Sequence, residues 1–176
     1  MARAFLKTKA PKGREYICEK CGKVIEPGTQ YYSWKFNFGA THMQHAEHGP
    51  PRASQLTNSK MGEVYDAVSD FDVSSCESPE DMKAALQSVA DAARSVAEQY
   101  GESADNIEAS WPSGNPTSEA CRNTQQELES WADSLESWEP DHDSWDKEQH
   151  DTEEDWLEEC RESASGVLDD QPEYQG

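Results

Sequence analysis

The segment Cys18-Glu19-Lys20-Cys21-Gly22 decides the fold of the N-terminal part of this chain. Two cysteines with two residues between them aim their sulfurs at one point, and the following glycine accepts the positive φ of such a turn. The sequence repeats this arrangement at residues 45–49, where histidines replace the cysteines and a glycine again follows. We therefore predict one Zn²⁺ bound by four side chains, with His42 as the alternative to one histidine: Cys18, Cys21, His45 and His48.

Four protein ligands complete the tetrahedral coordination of Zn²⁺, so the predicted site is structural. No nucleophile, base and orienting group lie together elsewhere, and we predict no catalytic residues and no enzyme activity. Two alternatives to zinc binding stay open. One is a redox dithiol, although no βαβ pattern surrounds these cysteines, and the other is a pair of unbound thiols beside polar histidines. We expect Cys76, Cys121 and Cys160 to be reduced thiols.

Short strands are predicted around this segment, at residues 15–18 and 23–26, followed by a longer strand at 29–38. Together they predict a zinc-stapled β-hairpin module at residues 14–56. The preceding residues 1–13 are rich in lysine and contain a proline, so we predict a flexible basic arm.

The longer strand shows an alternation of period two, which is typical of a strand with one buried face. Its aromatic positions include Trp34, Phe36 and Phe38. A module of this size needs large side chains as well as a metal to form a core, so we assign these three to the core. Tyr31 and Lys35 on the opposite face are predicted to lie at the surface.

Residues 57–140 are predicted to form a helical hairpin. A short helix to about Phe71 comes first, and Ser78-Pro79 then supplies the N-cap and first residue of a long helix. Apolar residues step by four and three through this helix like a heptad seam, with Gly101 on its outer side. The seam residues are Met82, Leu86, Val89, Ala93, Val96, Tyr100, Ser103, Ile107 and Trp111.

A second seam follows the loop at residues 112–116, and the short connection predicts antiparallel, coiled-coil-like packing of the two helices. Its members are Cys121, Thr124, Leu128, Trp131, Leu135 and Trp138. Residues 141–176 are predicted to be an acidic tail with a marginal helix to about Ser163 and disorder from about Ser165. The overall fold class is therefore α+β, with the β-module before the helices.

Charge divides the chain into two parts. Residues 1–60 hold ten Lys and Arg against four Asp and Glu, whereas residues 61–176 hold five against thirty-two. The formal balance is +6 for this basic head and −27 for this acidic body. No apolar stretch is long enough to span a membrane, so we expect a soluble, cytoplasmic protein without a membrane partner.

Three motifs together resemble a group of small, uncharacterised zinc-binding proteins of tailed viruses and prophages. They are the C-x-x-C-G segment, YYSWKF at residues 31–36, and the histidine-rich stretch that leads into PRASQLTNS at residues 51–59. The resemblance covers residues 14 to about 139. It implies a viral accessory protein in the host cytoplasm with a metal-binding N-terminus, and no established activity comes with it.

The ligand pattern is also loosely similar to that of PARP-type zinc fingers. The last ligand pair of those fingers is His-x-x-Cys, whereas this sequence has His45-x-x-His48. The recognition of DNA breaks by those fingers therefore does not carry over to this chain.

These features predict a non-enzymatic protein that binds an unidentified protein partner through its acidic body. One form of such binding is DNA mimicry, in which carboxylates occupy a groove that otherwise holds phosphates. Solubility at high salt and a solvated surface without a target are further explanations of the acidity. The alternative function is nucleic-acid binding through the basic head, and the oligomeric state is left open.

Overall fold

The computed structural model describes residues 2–13, 15–36, 39–57, 59–112, 114–140, 145–146 and 152–172. The chain divides into two compact units, an N-terminal unit at Met1–Gly62 and a helical unit at Glu63–Gly176. The sequence placed this boundary between residues 56 and 57. A small antiparallel sheet precedes the helices, so the predicted mixture and order of α and β elements is confirmed.

Within its described residues, the N-terminal unit contains two antiparallel sheets. The strands are β1 (Phe5–Lys7), β2 (Tyr16–Ile17), β3 (Val24–Ile25), β4 (Tyr31–Lys35) and β5 (Thr41–His45). One sheet has the strand order β1-β4-β5, and the other consists of β2 and β3 on either side of the C-x-x-C segment. The pairing of β4 with β5 is a hairpin whose second strand was not predicted, because its sequence contains two histidines and no aliphatic β-branched residue.

The prediction that the N-terminal arm lacks regular structure is wrong for part of it. Phe5 and Lys7 pair with Ser33 and Tyr31 of β4. Farther along, the N–H of Ala10 donates a hydrogen bond of 2.9 Å to the carbonyl of Thr29, which lies between β3 and β4. All three side chains of β1 are exposed, so no alternation of buried and exposed residues marks this strand in the sequence.

Strand β4 is buried on both faces. Trp34 is buried as predicted, but Tyr31, predicted to lie at the surface, is buried as well. Tyr31 packs in a cluster with Ala10, Cys18 and Ile25, because the β2–β3 pair covers this face of the sheet. Lys35 is exposed and Phe36 is half-buried, while Phe38 lies outside the described residues.

The described part of the helical unit has four α-helices, α1 (Gly62–Asp70), α2 (Pro79–Ser110), α3 (Pro116–Glu136) and α4 (Glu153–Asp169). Local sequence signals fix where the longer helices begin. The Ser78 side chain accepts a hydrogen bond from the N–H of Asp81, and Asn115 caps α3 in the same manner. None of the described helices is both long and apolar enough to cross a membrane.

Helices α2 and α3 are antiparallel, as their ion pairs show. Lys83 near the start of α2 contacts Glu139 beyond the end of α3, whereas Arg122 near the start of α3 contacts Glu108 near the end of α2. The seam of α3 is buried from Leu128 onward. The buried seam of α2 follows the predicted residues only as far as Tyr100.

Beyond Tyr100 the buried positions of α2 differ from the heptad prediction. Gly101 and Ala104 are buried, whereas Trp111 is 63% exposed. An α-helix has 3.6 residues per turn, so a contact line with a 3.5-residue repeat drifts around a straight helix. Gly101 faces the Gln125 side chain of α3 and therefore does not lie on the outer side.

Helix α4 is longer than the sequence indicates. It continues to Asp169, so the predicted disorder from Ser165 is wrong for the described residues. Its buried stripe consists of Trp156, Cys160 and Ala164, and the Nε1 of Trp131 donates a hydrogen bond of 3.0 Å to the Val167 carbonyl. These contacts with the rest of the unit offset the acid density that argued against a stable helix.

Candidate metal centre

The C-x-x-C segment forms a closed turn between β2 and β3. The N–H of Gly22 donates to the Cys18 carbonyl at 2.8 Å, and the N–H of Cys18 donates to the Lys23 carbonyl at 2.8 Å. Gly22 has φ +69°, the left-handed conformation that glycine adopts without strain. The turn therefore points both cysteine side chains in one direction, as the sequence predicts.

The two histidines are brought together by a turn at the end of β5. His45 is the last residue of β5, and the 3₁₀ turn Ala46–His48 carries the chain back so that His48 lies beside it. Residues three apart eclipse each other in a 3₁₀ helix, which explains the spacing. The rings are 5.5 Å apart between centroids, and Gly49 leaves the turn with φ +78°.

One ligand atom from each of Cys18, Cys21, His45 and His48 lies within 4.8 Å of every other. The Cys21 Sγ and His45 Nδ1 are 3.5 Å apart. Zn–S bonds of about 2.3 Å and Zn–N bonds of about 2.0 Å in a tetrahedron require ligand separations of roughly 3.3–3.8 Å. The four side chains thus need to close by only about 1 Å to share one metal ion.

The surroundings of His45 select one of its ring nitrogens for this cluster. Its Nε2 lies 3.3 Å from the Val24 carbonyl and donates to it, so Nδ1 carries the lone pair that faces Cys21. A hydrogen bond from the second ring nitrogen to a carbonyl is the usual support of a metal-binding histidine. The Val24 carbonyl is a part of the site that no sequence signal identified.

Cys18 is fully buried and lies in a polar backbone environment. Burial raises the pKa of its thiol, but hydrogen bonds from the N–H groups of His45, Cys21 and Lys20 outweigh burial and lower the pKa from 9.0 to about 7. The His45 N–H lies 3.4 Å from its sulfur. Stabilisation of the thiolate suits a metal ligand, because the thiolate and not the thiol binds metal.

His48 provides an independent test of whether a metal fits here. Its Nε2 is buried and has no hydrogen-bond partner among the described residues. A buried polar atom without a partner is costly, and a cation bound to this ring would remove that cost. The donor set and this orphaned nitrogen therefore both fit a metal ion.

His42, the alternative ligand, lies outside the cluster. Successive side chains of a strand point to opposite faces, so His42 and His45 of β5 cannot both face the cysteines. The His42 ring stacks on Trp34 with centroids 5.6 Å apart, and its Nδ1 lies 2.7 Å from a carboxylate oxygen of Glu19. His42 therefore links the C-x-x-C turn to the sheet through Glu19.

Comparisons with known proteins add no identity. No protein-family model matches this chain, and no significant match was found among curated proteins or solved structures.

Proposed function

We propose that this chain is a non-enzymatic binding protein in which a structural Zn²⁺ stabilises the N-terminal unit and the helical unit contacts a basic protein. The observation that carries the proposal is the convergence of two thiols and two imidazoles to within 4.8 Å. This donor set is one that Zn²⁺ takes in structural sites, where four protein ligands leave no position for a substrate.

The small size of the N-terminal unit supports the proposal of a structural metal. Strands β2 and β3 have two residues each, and a two-stranded hairpin is at best marginally stable in water. The cysteines come from the turn between these strands, whereas the histidines come from the end of β5. A bound Zn²⁺ therefore joins the β2–β3 pair to the larger sheet and supplies folding free energy that the small core lacks.

The charge of the helical unit supports the choice of a basic partner. Its described cations are all engaged in ion pairs with carboxylates: Lys83, Arg94, Arg122 and Arg161. Exposed acidic residues far outnumber these cations in the described part of the helical unit, so its surface carries an excess of negative charge. Such a surface attracts positively charged proteins and raises their association rate. DNA mimicry is the form of this proposal that gives the sharpest test.

The test is a competition experiment. Full-length protein is titrated into a complex between a fluorescent DNA duplex and a basic DNA-binding protein, and release of the duplex is followed by anisotropy. We expect release at low salt that weakens as salt rises, because ions screen exposed charges. Glu98→Lys with Glu102→Lys on the exposed face of α2 should reduce release.

The matched control is Glu15→Lys with Glu26→Lys, which makes the same charge change at exposed positions of the N-terminal unit. An equal loss in both double variants would assign the effect to net charge and not to the helical surface. Failure to release the duplex at any salt concentration would refute the proposal. Direct binding of the duplex by the full-length protein would favour the nucleic-acid alternative.

A further inference from the structure

Strand β1 has an open edge. It is the first strand in the order β1-β4-β5, and among the described residues only β4 pairs with it. Alternate N–H and C=O groups of an edge strand point away from its neighbour and remain free to pair with another strand. Just before β1, the N–H of Ala2 already donates a hydrogen bond to the Leu56 carbonyl, so the free backbone template is limited to β1 itself.

The side chains of β1 are uncovered on both faces of the sheet. Phe5 is 58% exposed and Leu6 is 50% exposed, and they lie on opposite faces because they are neighbours in the strand. Each face of this edge therefore carries one exposed apolar side chain. A strand added beside β1 would bring its own side chains against both of them.

The charge around this edge has one sign. Residues 1–14 contain five Lys and Arg and no Asp or Glu. Of these five, Arg3, Lys7, Lys9 and Lys12 are exposed in the structure, and Arg14 lies outside the described residues. Natural edge strands often carry lysine to prevent pairing with other strands, but cations do not repel a strand that carries carboxylates.

We propose that β1 binds an acidic, extended peptide segment of another protein, which adds to the sheet as a strand beside Phe5–Lys7. Backbone hydrogen bonds supply affinity in this mode, and alternate side chains supply specificity. Apolar residues of the segment contact Phe5 and Leu6, while its carboxylates pair with the surrounding lysines. This edge lies in the N-terminal unit, so the proposal does not depend on the partner proposed for the helical unit.

The geometry favours a peptide over a nucleic acid. Single-stranded nucleic acids stack their bases on the open faces of aromatic rings. The Nζ of Lys7 lies 5.4 Å from the centroid of the Phe5 ring and covers one of its faces. Leu6 offers no ring at all, whereas both residues suit the apolar side chains of an added strand.

The experiment uses full-length, zinc-loaded protein and a fluorescein-labelled seven-residue peptide that alternates valine with aspartate. Anisotropy gives the Kd, and hydrogen exchange with NMR detection follows the amides of Phe5–Lys7. We expect saturable binding and slower exchange of those β1 amides that face the open edge. The same peptide with alternate backbone nitrogens methylated keeps its charge but cannot pair, and should bind at least about tenfold more weakly.

Two substitutions test the side chains, each with a matched control. Phe5→Ser should raise the Kd about tenfold, and Lys7→Glu about fivefold. Trp111→Ser removes a ring of similar exposure from the helical unit, and Lys23→Glu reverses an exposed charge outside the basic residues 1–14. Both controls should change the Kd less than twofold. Zinc content and circular dichroism verify that each variant folds. The methylated peptide tests backbone pairing without any change in the protein.

Three results would overturn the proposal. The first is equal affinity for the normal and methylated peptides, which would reduce the contact to charge attraction. The second is an equal loss of affinity in the controls and in the β1 variants. The third is binding of a single-stranded oligonucleotide that Phe5→Ser weakens, without peptide binding, because β1 would then be a nucleic-acid contact.

Discussion

The packing of α2 against α3 can be tested at Leu128. This side chain lies in the middle of the α3 seam and has 0% exposure. Leu128→Ala removes most of a buried side chain and leaves a cavity that the long, ion-paired helices close only in part. Loss of apolar burial together with the cavity costs about 3 kcal/mol, within the range measured for buried leucines.

A loss of this size is large for a unit of little more than 100 residues. Total stabilities are about 5–15 kcal/mol, and 1 kcal/mol corresponds to roughly 4 °C in Tm for a domain of this size. We therefore expect Leu128→Ala to lower the Tm of the helical unit by about 12 °C. The assay is thermal unfolding of the full-length protein followed by far-UV circular dichroism, which reports mainly on the helices.

Glu127→Ala is the matched control, because Glu127 precedes Leu128 and is exposed. It should shift the Tm by no more than about 2 °C, as most surface substitutions do. Equal shifts in the two variants, or a shift below about 4 °C for Leu128→Ala, would refute the assignment of Leu128 to the contact between α2 and α3.

Four further predictions follow from particular contacts. His42→Gln should retain one zinc per chain by elemental analysis, whereas His45→Gln should lose tight binding because its Nδ1 faces Cys21. Gly101→Ala should change Tm little, since the atoms nearest to the added carbon belong to the end of the Gln125 side chain, which can shift, but Gly101→Leu should lower it by more than about 5 °C by overpacking. Arg94→Met should lower Tm less at 1 M salt than at low salt, because salt screens its exposed ion pairs. A chelator should speed amide exchange in β4 and β5 and leave the helical dichroism unchanged.

The sequence predicted most of the helical unit because its signals are local. Ser78 and Pro79 mark the start of α2 through capping and a fixed φ, and both features depend only on neighbouring residues. The seam predicted for α2 is correct as far as Tyr100. Beyond that point the buried face depends on where α3 approaches. Gly101 has no apolar side chain to mark it as buried, so its burial is seen only in the packed pair of helices.

Elements that depend on distant partners were not predictable. Strand β1 exists because β4 provides an edge for its backbone, and its exposed side chains carry no pattern. Tyr31 was assigned to the wrong face because the sequence does not show that β2 and β3 fold over it. Helix α4 extends past the predicted end because tertiary contacts outweigh its high density of acids.

The four residues of the candidate site could be predicted from the sequence, but the elements and groups that hold them in place could not. The spacing of Cys18, Cys21, His45 and His48 is a property of two short turns, so the sequence indicates all four. The choice between His42 and His45 requires β5, which was not predicted as a strand. Once β5 is known, its period of two separates the two histidines.

The most direct test of the central claim is X-ray absorption at the zinc edge on full-length protein purified without chelators. The arrangement of Cys18, Cys21, His45 and His48 predicts one zinc per chain with two sulfurs at about 2.3 Å and two nitrogens at about 2.0 Å. Cys21→Ser should remove one sulfur from this shell. Protein without zinc, or zinc surrounded only by oxygen and nitrogen, would contradict the claim.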